Sequence, residues 1–184
     1  MKHVLFGAVA AASLAATAYA LAPTSGLAVG EKVSPFHPSH VAGPLANSTG
    51  CFPCTFQARP QVQVWVNGDN MANVAKIGMA LEKAQTTYAS KEFKAMIVMV
   101  TPKDQVESMK TKAGEFARTS GFKNIAISVL AKNDDAVTAY KFNTSADVKN
   151  TVFAYKDWTV KAKMVNLVGD EAGLKSLNNT IAGL

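Results

Sequence analysis

Six consecutive apolar residues, Ala95-Met96-Ile97-Val98-Met99-Val100, sit near the middle of this 184-residue chain. A run this short, with no polar residue, reads as a central strand covered on both faces, and a strand with two dry faces needs a layer of structure on each side. The flanking pattern supplies candidates for those layers. Val62, Val64 and Val66 with Trp65 form a strand pattern ending at Asn67-Gly68. Asp69 or Asn70 then caps a helix whose apolar face is Met71, Val74, Ile77, Leu81 and Tyr88. After the central run, Thr101-Pro102 reads as an N-cap and first-turn proline for a helix burying Val106, Met109, Ala113 and Phe116, with Gly121 closing it.

The rest continues in the same alternation. Ile125 to Leu130 is a third strand, and Asp134 or Asp135 opens a short helix carrying Val137 and Tyr140. Thr151–Tyr155 and Thr159–Val165 read as a hairpin turning at Lys156-Asp157, and Asp170 caps a last helix with Leu174, Leu177 and Ile181 inward. The order βαβαβαββα implies parallel strands joined by right-handed crossovers, with an antiparallel edge from the hairpin. The expected fold class is α/β: a three-layer sandwich with a central mixed sheet flanked by helices.

Three segments precede or form that domain. Residues 1–20 carry a basic start, Met1-Lys2-His3, an uncharged run from Val4 to Thr17, and the small-x-small Ala18-Tyr19-Ala20. This is the layout of a cleaved secretory signal peptide, and the run is shorter than the roughly 20 apolar residues a membrane span needs. The expectation is therefore an exported protein, periplasmic or extracellular, without stable membrane insertion. Residues 21–60 hold six of the seven prolines and little periodicity, and read as an extended arm wrapped over the domain at 61–184. The net charge of +6 is spread over scattered lysines, with Arg59 and Arg118 the only arginines. A nucleic-acid binder clusters its charge and interleaves aromatics, so no nucleic-acid partner is expected.

The chemistry-bearing residues lie in the arm. The chain has two cysteines, in Cys51-Phe52-Pro53-Cys54. Their bridge would close a very short loop and remove little unfolded-state entropy, which argues for chemistry over a structural staple. A Cys-x-x-Cys beside a βαβ pattern is the cue for a redox pair: one thiolate attacks a disulfide and the second resolves the mixed disulfide. In this reading Cys51 attacks, as the N-terminal and more exposed sulfur, and Cys54 resolves. Two other readings stay open. One is a non-catalytic binding module with a structural bridge. The other is a metal-binding carrier, because His37 and His40 with Cys51 and Cys54 have zinc-like spacing, and copper also suits such ligands. A Ser/His/Asp triad is not credible, since only His37 and His40 survive cleavage.

The residues from Gly30 to about Val168 resemble the thioredoxin-like superfamily, in particular exported redoxin-type proteins related to the peroxiredoxins. Val29-Gly30-Glu31-Lys32-Val33-Ser34-Pro35-Phe36 is similar to the redoxin opening. Ala139-Tyr140-Lys141-Phe142 with Asn150-Thr151-Val152-Phe153-Ala154-Tyr155-Lys156-Asp157-Trp158 is similar to their later segment. Pro44 to Cys51, with Ser48 and Thr49, fits the peroxidatic Pro-x3-Ser/Thr-x2-Cys spacing. The resemblance implies a thioredoxin-like domain acting as a thiol–disulfide oxidoreductase or thiol-dependent antioxidant. Its substrate would be a protein or small-molecule disulfide or a peroxide, and it would need no bound cofactor. The chain departs from the pattern in three ways. The junction after the first central strand reads Asn67-Gly68-Asp69-Asn70, so the cysteine pair is displaced to a position before that strand. Asn150 stands where the family has a proline facing the active site. No helix is expected to begin at Cys51.

Overall fold

The computed structural model describes residues 23–184, so the expected leader at 1–20 lies outside the described residues. The apolar runs form strands where expected: β2 (Gln61–Val66), β3 (Lys94–Thr101) and β4 (Ala126–Ala131), with the hairpin β5 (Asn150–Lys156) and β6 (Thr159–Val165). One strand comes from the arm, β1 (Ser39–Ala42), and the sheet order is β1-β4-β3-β2-β5-β6. β2, β3 and β4 are parallel, and β1, β5 and β6 each run antiparallel to their neighbours. The hairpin turns through Asp157 and Trp158, both left-handed (φ 52° and 62°), the twist that suits a tight two-residue connection.

Successive residues of the strands point to opposite faces, and each face has its own core. Val62, Val64, Ala95, Ile97 and Met99 pack under α2 (Met71–Thr87), α3 (Val106–Thr119) and α5 (Glu171–Ala182), which contribute Ile77, Leu81, Ala113, Leu177 and Ile181. Trp65, Met96, Val98 and Val100 face the other way, beneath α4 (Asp135–Ala139), the arm's Leu27, Val33 and Phe36, and Phe52 of α1 (Phe52–Phe56). Side-chain caps fix the helix starts: Asn70 accepts from Ala72 N–H, Asp134 from Ala136 N–H and Asp170 from Gly173 N–H.

Two local expectations are corrected. Thr101 is the last residue of β3 rather than an N-cap, and Pro102 leads into a 3-10 turn (Lys103–Gln105) before α3 begins. The arm is not merely extended, because it donates an edge strand and a short helix. Gly43 (φ 81°) lets the chain leave β1 directly against the Ile125 carbonyl, where a Cβ would collide with that backbone.

The arm-side core contains buried polar groups among its rings. Trp65 stacks on Tyr140 with centroids 4.6 Å apart, and Phe36 lies 5.3 Å from Trp65. The Trp65 indole N–H donates to Gln63 Oε1 (2.9 Å), Gln63 Nε2 donates to the Tyr155 hydroxyl (2.7 Å), and that hydroxyl donates to Gln61 Oε1 (2.7 Å). Burial pushes the Tyr155 phenol well above its ordinary range, so it stays a neutral donor. Tyr155→Phe leaves Gln61 and Gln63 short of this partner in a dry core. It is expected to lower stability by about 1–3 kcal/mol, measured as a reduced urea midpoint with an unchanged m-value.

Candidate functional site

The cysteine loop is anchored from both ends by the arm and strand β1. His40, 3% exposed, donates from Nε2 to the Gly50 carbonyl at 2.8 Å, and its backbone N–H donates to the Ser48 carbonyl at 2.9 Å. His37 donates from Nδ1 to the Thr49 carbonyl at 3.0 Å. The Ser48 hydroxyl donates to Leu45 O (2.7 Å) and accepts from Gly50 N–H (3.2 Å). These bonds bring the chain to Cys51, whose extended backbone (φ −75°, ψ 110°) makes it the N-cap of α1. A helix does begin at Cys51, contrary to expectation, with Pro53 in its first turn where a missing N–H costs nothing.

Cys51 and Cys54 are joined in a disulfide with Cα atoms 5.2 Å apart. The backbone N–H of Cys54 donates to Cys51 Sγ at 3.2 Å, and the Thr55 N–H and hydroxyl both donate to the Cys51 carbonyl at 3.0 Å. Phe52 is fully buried in the core with Trp65, Met96 and Val98, which pins the helix to the sheet, and it packs edge-on against Phe56 one turn on, 4.7 Å between centroids. The burial of the two cysteines is the reverse of the expected order. Cys51 is 7% exposed, while Cys54 is exposed. The reason is local. Cys51 is the point where the tethered loop enters the core, and Cys54 lies one helical turn on, facing outward.

The four candidate metal ligands are not brought to one point. Both histidine rings are engaged with backbone carbonyls, both sulfurs are bonded to each other, and no group of three or more His, Cys, Asp or Glu converges among the described residues. The peroxidatic arrangement does not assemble either. The Ser48 hydroxyl serves its own loop, and Arg59 is paired with Glu92 at 3.1 Å. Arg118 lines a cleft of about 740 Å³ with Ser48 and Thr49, but neither cysteine lines it.

No family model matches the chain, and no curated protein matches its sequence. Solved structures do match in shape. A putative thiol:disulfide interchange protein DsbE from Chlorobium tepidum aligns over 85% of this chain and 97% of its own, at TM-score 0.59 and 14% identity. The peroxidoxin BcpB from Mycobacterium tuberculosis aligns over 85% and 97%, at TM-score 0.61 and 15% identity. The thiol peroxidase from Chromobacterium violaceum aligns over 90% and 94%, at TM-score 0.61 and 11% identity. The fold is thioredoxin-like.

The thioredoxin-like sheet has two poles, and the cysteines sit at the unexpected one. α1 joins the start of β2, where Gln61 Nε2 donates to the Gln57 carbonyl at 2.9 Å. The Asn67–Asn70 junction lies at the other end of β2, about 20 Å away for six extended residues. The cysteine loop therefore does not fold back over that junction. A polar lock fills it instead. Asp69 Oδ2 accepts from Asn73 Nδ2 (2.8 Å) and from Asn150 Nδ2 (2.6 Å). Asn150 also exchanges bonds with Leu167, accepting from its N–H at 2.8 Å and donating to its carbonyl at 3.0 Å. The lock ties α2, β5 and the loop before α5 beside a cleft of about 630 Å³. Asn73 and Leu167 were not legible as partners, since they come together only across the sheet end.

His40 carries the clearest pH consequence. Its Nδ1 is buried without a partner, and burial holds the imidazole below its ordinary 6.5 despite the Gly50 bond. The unfolded chain therefore binds a proton near pH 6.5 that the folded chain resists. Folding stability contributed by His40 is fully present above that pH and declines as pH falls below it. Urea titrations between pH about 7.5 and 5 are expected to show this decline in the parent protein, and a shallower one in His40→Gln, which cannot titrate. Asp69→Ala, at the opposite pole, is expected to cost about 1–3 kcal/mol and to leave the redox midpoint of the cysteine pair unchanged.

Proposed function

We propose that this protein is an exported thiol–disulfide exchange protein that uses the Cys51–Cys54 pair. The carrying observation is a disulfide of minimal loop, in a domain with two complete hydrophobic cores, with one sulfur-bearing residue exposed to solvent. A bridge spanning three residues adds little to the stability of such a domain, so its value lies in being made and broken. The proposed chemistry needs only the two sulfurs, since exchange proceeds through a mixed disulfide with a partner's thiol. The structural likeness to a putative interchange protein and to thiol peroxidases supports the reading at the level of fold. Peroxide reduction is the weaker branch, because the Ser48 hydroxyl serves its own loop, Arg59 is paired with Glu92, and the cleft that Arg118 lines does not include Cys51. The leader pattern at 1–20 and the oxidised pair both suit a compartment outside the cytoplasm.

A redox titration against a dithiol buffer tests the proposal. A midpoint above about −300 mV is expected, with exchange activity on a model peptide disulfide lost in either Cys51→Ser or Cys54→Ser. A pair that stays oxidised below that potential, and whose loss changes stability alone, would identify a structural bridge instead.

A further inference from the structure

Resting on that reading, we propose that Cys54, not Cys51, is the sulfur at which partners enter and leave, and that the partner is a protein or peptide dithiol. The ordinary N-to-C order of attacking and resolving cysteines is thus inverted in this chain. Attack on a disulfide requires a thiolate to reach one sulfur, and access decides which. Cys51 is 7% exposed and is enclosed by its tethered loop on one side and the fully buried Phe52 on the other. Cys54 is exposed and is followed by exposed Thr55, Gln57 and Ala58.

The hydrogen bonding agrees with this polarity. The Cys54 N–H already points at Cys51 Sγ (3.2 Å), so the charge that arrives there when the bridge opens meets a donor in place. A partner thiolate attacks Cys54 Sγ and forms a mixed disulfide. The Cys51–Cys54 bond breaks, and Cys51 leaves with the electron pair. The partner's second thiolate then attacks its own sulfur in the mixed disulfide. The partner's disulfide forms, and Cys54 leaves as a thiolate. The two protons shed by the partner's thiols are taken up by Cys51 and Cys54, so the partner is oxidised by two electrons and the protein reduced by two.

The nature of the partner follows from the surface. The clefts of about 740, 520 and 630 Å³ among the described residues are lined by neither cysteine. α1 has no charged residue; Arg59, just after it, pairs with Glu92, and Lys94 sits over the Phe56 ring at 5.6 Å. An exposed cysteine on a helix without charged residues, followed by exposed Thr55, Gln57 and Ala58, suits a polypeptide that presents its own cysteines.

Single variants separate this inference from the proposed function. With dithionitrobenzoate under native conditions, the Cys54 thiol of Cys51→Ser is expected to react about tenfold or more faster than the Cys51 thiol of Cys54→Ser, the difference vanishing in denaturant. Incubation with an oxidised dicysteine peptide should give a stable mixed disulfide in Cys51→Ser and little in Cys54→Ser. A second measurement avoids substitutions: native parent protein, briefly reduced and pulsed with iodoacetamide, should carry its first label on Cys54 by peptide mapping. Equal rates, or labelling of Cys51 first, would overturn the inverted order while leaving exchange itself intact. A parent disulfide that no dithiol opens would instead end the proposed function. Faster reaction of Cys51→Ser with glutathione disulfide than with the peptide would overturn the assignment of the partner.

Discussion

The dryness of both faces of the central strands governs this molecule. Three parallel strands carry apolar side chains up and down, and their backbone is satisfied only by neighbouring strands. The crossover helices cover one face, as they must when parallel strands are joined by helices. The other face has only the five-residue α4 from the regular part of the chain. The arm supplies what is missing by laying Leu27, Val33, Phe36 and Phe52 over Trp65, Met96 and Val98. The cysteine loop is part of this cover, and its position follows from the need to bury Phe52.

That dependence links the candidate site to folding. Cys51 is held because its neighbours are held: two histidines grip the carbonyls just ahead of it, and Phe52 anchors just behind it. His40 is buried in its neutral form, with one ring nitrogen bonded and the other bare. Protonation there would place charge beneath the loop, in the core that the arm creates. The exposed sulfur is reachable because a one-turn helix carries it away from this anchored point. The opposite pole of the sheet, where the resemblance leads one to look for chemistry, is closed by amide and carboxylate bonds among Asp69, Asn73 and Asn150.

Much of the architecture was legible before the structure. Helix caps at Asn70, Asp134 and Asp170, the existence of the closing hairpin and most of the apolar faces of α2, α3 and α5 are local patterns, and local patterns are what a sequence states directly. The turn itself falls one residue later than expected, at Asp157-Trp158, and Met71 of the α2 face stays exposed. The arm was less legible. β1 is four residues long with a half-polar composition, and only pairing with β4 makes it a strand. Gln61 and Gln63 interrupt an otherwise apolar strand, and their burial makes sense only beside Tyr155, about ninety residues away. His37 and His40 looked like ligands because ligand spacing and loop-tether spacing are the same on paper, and ring direction separates them.

By itself the sequence determined a layered α/β core, the parallel order of its strands, and the presence of one adjacent cysteine pair in an irregular arm. Those properties depend on periodicity and on the composition of short segments. Tertiary structure alone decided that the arm forms one face of the core, that the pair is bonded far from the Asn67–Asn70 junction, and that Cys54 rather than Cys51 meets solvent. Exposure of a sulfur depends on what long-range packing lays over it, and no count of residues between two cysteines contains that information.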